Sequence, residues 1–205
     1  MTDRTPPAQL EEWYQKAILP PENMTKPPAD IWEHLPILRE LASRCEHVTE
    51  FGMREAGGST LAFLTAQPKT FVSWDIEPWA IVSQRVSDLL YVAGRTSFQP
   101  RVGNTLEIAP IEPTDRLFID TLHTAAQLKV ELERHADPIR QAVKKYLVFH
   151  DTATFGHVGE DGSSPGLRAV IRWYQKEFSF PLWTAIEDRP NNNGLVVLRR
   201  IDVRD

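Results

Sequence analysis

Short apolar runs recur along this chain from Glu46 onward. They cover 48–52, 70–75, 97–102, 116–120, 145–150, 183–187 and 194–200, the length and make-up of strands buried in a sheet. Between them, 59–66, 78–93, 124–135 and 166–178 space their apolar residues three and four apart and predict helices, with a shorter one over 138–144. Strand and helix taking turns in this way predicts an α/β fold, a doubly wound, mostly parallel seven-stranded sheet joined by crossover helices. The last two strands flank Arg189-Pro-Asn-Asn-Asn-Gly194, and Asn-Gly is a hairpin signal. The sheet is therefore predicted to end in an antiparallel C-terminal hairpin strand.

The pattern differs before residue 30. Pro6, Pro7, Pro20, Pro21, Pro27 and Pro28 interrupt the chain, and between them Leu10 to Ile18 spaces its apolar side chains for one short amphipathic helix. Nothing in this segment could form its own core. Residues 1–29 are read as an N-terminal helical arm or lid, and 30–205 as one domain. The aromatic pair Trp13-Tyr14 offers the arm an apolar face for a substrate or for a second subunit, as in a homo-oligomer. Asp30 is placed to cap a helix running to Arg44, with Ile31, Leu35, Leu38, Leu41 and Ala42 on its inner side.

Composition narrows the class. The 205 residues are 41% hydrophobic and 25% charged, ordinary for a soluble globular protein. A net charge of −5 with no dense Lys/Arg run leaves no footprint for nonspecific nucleic-acid binding. No apolar stretch nears the roughly 18–20 residues of a membrane span, and the first residues lack the apolar core of a signal peptide. The one cysteine, Cys45, excludes an internal disulfide and suits a reducing compartment. The expected location is cytoplasmic, with no membrane or nucleic-acid partner.

Candidate chemistry gathers at predicted strand ends. Val48 to Thr60 reads as strand, glycine-rich turn and helix, passing through Gly52, Gly57 and Gly58. This layout brings a nucleotide-like ligand against bare backbone, although an ordinary strand-to-helix turn looks the same. Ser59 or Thr60 can cap the helix that follows. Glu50 at the strand end would repel phosphate and suits amino or hydroxyl donors. The stretch lacks the Lys-Ser/Thr ending of a phosphate-binding P-loop and the glycine spacing of dinucleotide folds, which disfavours a nicotinamide-dependent oxidoreductase. Asp75 ends the next strand, where an acid meets ribose hydroxyls in α/β nucleotide sites. Gly103-Asn104-Thr105, Asp120-Thr-Leu-His123 and His150-Asp151-Thr152 follow later strands. Their carboxylates and imidazoles could bind a divalent cation or supply a general base.

In these residues the sequence resembles the class I S-adenosylmethionine-dependent methyltransferases, a Rossmann-like family. Within it, the chain is most similar to small-molecule O-methyltransferases of the cephalosporin hydroxylase and macrolide sugar O-methyltransferase group. Glu50-Phe-Gly-Met-Arg-Glu-Ala-Gly-Gly-Ser-Thr60 resembles the first family motif, which holds the methionine part of the cofactor. Asp75 matches the acid on the ribose hydroxyls, and Gly103-Asn104-Thr105-Leu106 the turn beside the adenine. Leu117-Phe-Ile-Asp120-Thr-Leu-His123, Val148-Phe-His150-Asp151-Thr152 and Asn192-Asn193-Gly194-Leu195 resemble later signatures. Three departures stand out. The first motif is one residue longer between Gly52 and Gly57 than its commonest form, Asn104 stands where an Asp is usual, and His150 precedes Asp151 where some metal-dependent members carry an acid.

The resemblance implies S-adenosylmethionine as cofactor, held by Glu50, Gly52, Gly57, Gly58, Ser59, Asp75, Asn104, Thr105 and Asp120, and a small hydroxylated molecule as methyl acceptor. It implies catalysis by His123 with Asp120, His123 taking the hydroxyl's proton because imidazole titrates near neutrality. In metal-dependent relatives magnesium acidifies the hydroxyl. Asp120 and Asp151 are then the oxygen ligands and His150 a third, although magnesium prefers oxygen. The alternative is a catalytically silent cofactor-binding or scaffold protein, which Asn104 and His150 would favour.

Overall fold

The computed structural model describes residues 4–19 and 30–202. The chain divides into two compact units at Gly103. The first contains α1 (Ala8–Ala17), a 3-10 turn (Trp32–His34), α2 (Leu35–Ser43), β1 (His47–Phe51), α3 (Ser59–Thr65), β2 (Thr70–Asp75), α4 (Pro78–Ile81), α5 (Gln84–Val92) and β3 (Ser97–Val102). Its strands lie in the order β3-β2-β1 and are parallel, with Glu50 beside Ser73 and Asp75 beside Val102. Parallel register brings the C-terminal ends of β1 and β2, and so Glu50 and Asp75, to one edge. The core is aromatic: Phe71 stacks on Phe98 at 5.1 Å and meets the edge of Phe63 at 5.5 Å. Phe63 and Phe71 are fully buried, and truncating such a ring costs about 3–5 kcal/mol.

The second unit contains β4 (Thr114–Ile119), α6 (Ala125–His135), β5 (Val143–His150), α7 (Leu167–Trp173), a π-helical turn (Tyr174–Phe178), β6 (Trp183–Arg189) and β7 (Leu195–Arg200). Its strands lie in the order β4-β5-β7-β6. β4 and β5 are parallel, and β7 runs antiparallel to both β5 and β6. Leu117-Phe118-Ile119 and Tyr146 to Phe149 are buried throughout, as strands covered on both faces must be. The β6–β7 turn needs left-handed backbone at Asn192, Asn193 and Gly194 (φ 48°, 67° and 97°). A Cβ on Gly194 would stand 2.2 Å from the Ala153 nitrogen, so only glycine fits. The parallel strands within each unit, and the antiparallel C-terminal hairpin that ends the second, are those that the sequence predicts.

Local departures have local causes. The helix expected over 78–93 is broken at Ser83, whose extended backbone lets its hydroxyl accept from the Val86 N–H at 3.2 Å and start α5. No helix forms over 138–144: Pro138 opens a turn, and β5 begins at Val143. The helix expected over 166–178 is α-helical only to Trp173. Asp30 caps nothing; a 3-10 turn leads into α2, which starts with Pro36 in its first turn. Of the arm, residues 1–3 and 20–29 lie outside the described residues. Its helix α1 is docked on the first unit, with Leu10 and Tyr14 buried and Glu11 paired with both guanidinium nitrogens of Arg39 at 2.7 and 2.9 Å. Cys45 is buried, its thiol 3.2 Å from the Leu41 carbonyl. No helix among the described residues is long and apolar enough to cross a membrane.

Candidate active site

In the first unit, Glu50 is fully buried at the end of β1. Its carboxylate accepts from Ser59 Oγ at 2.6 Å, Thr60 Oγ1 at 2.8 Å and Ser73 Oγ at 2.5 Å. Neither Ser59 nor Thr60 therefore caps α3: the N-cap is Gly58, without a side-chain bond, and both hydroxyls are drawn to the acid instead. Glu50 thus ties the end of β1 to the start of α3 and to β2. Gly52 holds left-handed backbone (φ 87°), which suits its lack of a Cβ. A Cβ on Gly57 would meet nothing within 4 Å, so this part of the turn faces open space. The long first-motif loop is accommodated by Arg54 and Ala56, both at positive φ (50° and 54°), an uncommon region for residues with a Cβ. The Arg54 N–H donates to Asp75 Oδ2 at 2.7 Å, and the Glu77 N–H to Oδ1 at 2.9 Å. Each Asp75 oxygen keeps a further lone pair.

The second unit opens with Asn104, which closes its own turn: Oδ1 accepts from the Leu106 N–H at 3.0 Å and Nδ2 donates to Glu107 at 3.1 Å. Thr105, expected at the cofactor, is turned inward. Its hydroxyl donates to Glu131 Oε1 at 2.5 Å and accepts from Gln127 at 3.2 Å, which leaves one acceptor lone pair. Glu131 is itself fully buried on α6 and also receives the Thr121 hydroxyl at 2.9 Å. Burial pushes its carboxyl above the usual range, against the hydrogen bonds from Thr105, Gln127 and Thr121. It is joined to the segment that carries Asp120 and His123.

That segment, with the end of β5, forms a cluster of acids and imidazoles. One ligand atom each from Asp120, His150 and Asp151 lie within 4.8 Å of one another. His150 Nδ1 is 3.3 Å from both Asp120 Oδ1 and Asp151 Oδ2. His123 Nε2 lies 2.8 Å from Asp151 Oδ2 and 3.4 Å from Asp120 Oδ1. The other nitrogen, Nδ1, is 2.9 Å from Glu160 Oε2, and the ring stacks on Phe155 at 4.8 Å. Asp151 has left-handed backbone (φ 57°), and its Oδ1 is buried without a hydrogen-bond partner among the described residues.

The cluster changes the acid–base picture. Burial pulls the pKa of both imidazoles down, but hydrogen bonds to Asp120 and Asp151 outweigh it and raise His123 and His150 to about 10. Asp120 and Asp151 are held below the usual carboxylate range, the two histidines prevailing over burial. His123 therefore carries its proton at neutral pH, contrary to the near-neutral titration expected of an unperturbed imidazole. Glu160 and Phe155 were not flagged by the sequence, since nothing local ties them to His123. Glu131 had a signal: Leu128, Glu131, Leu132 and His135 share the helical spacing of a buried face.

No protein-family model matches the chain, and no curated protein matches it at a significant level. Solved structures do match in fold. A methyltransferase of Podospora anserina with bound SAH aligns at a TM-score of 0.59 and 17% identity, over 96% of this chain and 89% of its own. The O-methyltransferase of Bacillus cereus, in complex with SAH, gives 0.60 at 16% identity over 95% and 91%. An N-methyltransferase of Bradyrhizobium japonicum, in complex with S-adenosyl-L-homocysteine, gives 0.60 at 15% identity over 94% and 99%. The chain thus has the Rossmann-like fold of class I methyltransferases. O- and N-methyltransferases both appear among these structures, so the fold leaves the acceptor atom open.

Proposed function

We propose that the protein is an S-adenosylmethionine-dependent methyltransferase that methylates a hydroxyl group of a small molecule with the help of a divalent cation. The observation that carries the second half of this reading is the meeting of Asp120, His150 and Asp151 within 4.8 Å beside His123. The fold, shared with SAH-bound methyltransferases, supports the first half. In this reading Asp75 binds the ribose hydroxyls through its remaining lone pairs, and the Gly52 to Gly58 turn lies along the methionine part. Glu50 acts at one remove, fixing that turn through Ser59 and Thr60.

Two carboxylates and a buried imidazole with an unpartnered Asp151 oxygen form a fitting donor set for a divalent cation. Such an ion, held by Asp120, Asp151 and His150, would supply Lewis acidity to lower the pKa of an acceptor hydroxyl. His123 is the group to receive the hydroxyl proton. The two ionised acids are what keep it protonated, so neutralising their charge returns it toward the ordinary imidazole range. Glu160, on Nδ1, orients the ring so that Nε2 faces the acids.

The test is methyl transfer from S-adenosylmethionine to a panel of sugar, polyketide and phenolic hydroxyls, followed by mass spectrometry. It is run after exhaustive EDTA treatment, with and without added divalent ions. Turnover restored by a cation and abolished by Asp151→Asn, with cofactor affinity intact, is expected. Full turnover without any cation would reject the ion. Cofactor binding with no turnover on any acceptor would favour the silent cofactor-binding protein.

A further inference from the structure

We infer that the Asp120–His150–Asp151 cluster selects a nitrogen-accepting transition ion, such as manganese(II), cobalt(II) or zinc, over magnesium; this rests on the metal-assisted reading above. His150 is buried at the end of β5, and its two ring nitrogens face different partners. Nε2 lies 3.3 Å from the Asn192 carbonyl oxygen. A carbonyl can only accept, so Nε2 carries a proton and is closed to an ion. The other nitrogen, Nδ1, faces Asp120 Oδ1 and Asp151 Oδ2 at 3.3 Å each, and an ion that displaces its proton meets a nitrogen lone pair there.

Two carboxylates set about one ring nitrogen call for positive charge among them, which the ring's own proton supplies in the metal-free protein and which an ion can take over. The spacing suits one: donors at adjacent positions around an ion with bonds of about 2.1 Å lie roughly 3.0–3.4 Å apart. A further observation points the same way. Asp151 is 2% exposed, and its Oδ1 has no hydrogen-bond partner among the described residues, so the carboxylate has capacity left for a ligand.

The nitrogen decides the type of ion. Magnesium takes oxygen donors and parts reluctantly with water, whereas imidazole suits later first-row ions, and affinity rises along the series from manganese to cobalt. The hairpin turn holds the ring in this orientation. Its Asn193 carbonyl receives the Ala153 and Thr154 N–H groups at 2.8 and 3.1 Å, which fixes the neighbouring Asn192 carbonyl against Nε2.

The experiment uses the full chain, stripped with EDTA and dialysed. Calorimetry with cobalt(II) and with magnesium, each alone, should show cobalt bound at least about 100-fold more tightly. Electron spin-echo spectroscopy of the manganese(II) form should show nitrogen-14 modulation that is lost in His150→Asp. The same variant should narrow the gap between cobalt and magnesium, and His150→Asn serves if the added acid prevents folding, as checked by circular dichroism. Magnesium binding as tightly as cobalt, or nitrogen modulation that persists in both variants, would overturn the inference and leave a metal-assisted enzyme standing. No binding of any ion would overturn the metal reading together with it, while retained S-adenosylhomocysteine binding would leave the methyltransferase reading intact.

Discussion

Removing the Glu50 carboxylate separates a structural role from a ligand-binding one. In Glu50→Ala, three buried hydroxyls lose their shared acceptor: Ser59 at 2.6 Å, Thr60 at 2.8 Å and Ser73 at 2.5 Å. Hydrogen bonds to a charged group contribute about 1.5–3 kcal/mol each, but a freed hydroxyl can swing toward a nearby carbonyl and recover part of the loss. The small side chain also leaves a cavity beside α3. A total loss of about 3–5 kcal/mol is expected, a large share of the stability of a domain this size. Glu50→Gln keeps the volume and one acceptor oxygen, and should lose only about 1–2 kcal/mol. Urea unfolding followed by tryptophan fluorescence measures both, with a common slope to show that the unfolded state is unchanged. If Glu50→Ala lost under about 1 kcal/mol while S-adenosylhomocysteine affinity collapsed, Glu50 would act on the ligand directly and the reasoning would be wrong.

Asp75→Ala should weaken S-adenosylhomocysteine binding tenfold to a hundredfold, about 1.5–3 kcal/mol, in titration calorimetry; equal affinities would remove Asp75 from the cofactor site. Deleting residues 2–19 should lower the thermal midpoint by several degrees, because Leu10 and Tyr14 are buried and Glu11 pairs with Arg39; an unchanged midpoint would show that the docking contributes nothing. For pH, His123 and His150 are raised in the folded state to about 10 from 6.5, so their stabilisation is complete below about 6.5 and lost as pH rises through 10. Metal-free protein should therefore be less stable to urea at pH 9.5 than at pH 6.5, and a flat profile would contradict the paired arrangement. Glu160→Gln should lower the His123 pKa, read from its imidazole resonances in nuclear magnetic resonance; an unmoved value would deny Glu160 its hold on the ring.

The strands were legible because their burial is written as unbroken apolar runs, as in Leu117-Phe118-Ile119 and Tyr146 to Phe149. Parallel pairing of β4 with β5 then brings Asp120, just past one strand, near His150 and Asp151 at the end of the other. Placement of strand ends was enough to gather this cluster. What the sequence hid depends on contacts between distant residues. Glu160 reaches His123 across 37 positions of chain, and the Asn192 carbonyl reaches His150 across 42. The protonation of His123 was hidden for the same reason, since it follows from two acids meeting in space. Capping was misjudged where a stronger acceptor competed: Ser59 and Thr60 are good cap residues, yet Glu50 takes both hydroxyls.

Titration calorimetry of S-adenosylhomocysteine against the intact protein tests the central claim most directly. The account predicts saturable binding of one ligand per chain, weakened by Asp75→Ala in a variant that remains folded. Absence of binding to the folded wild-type protein would contradict it, leaving a methyltransferase fold without a methyltransferase's cofactor.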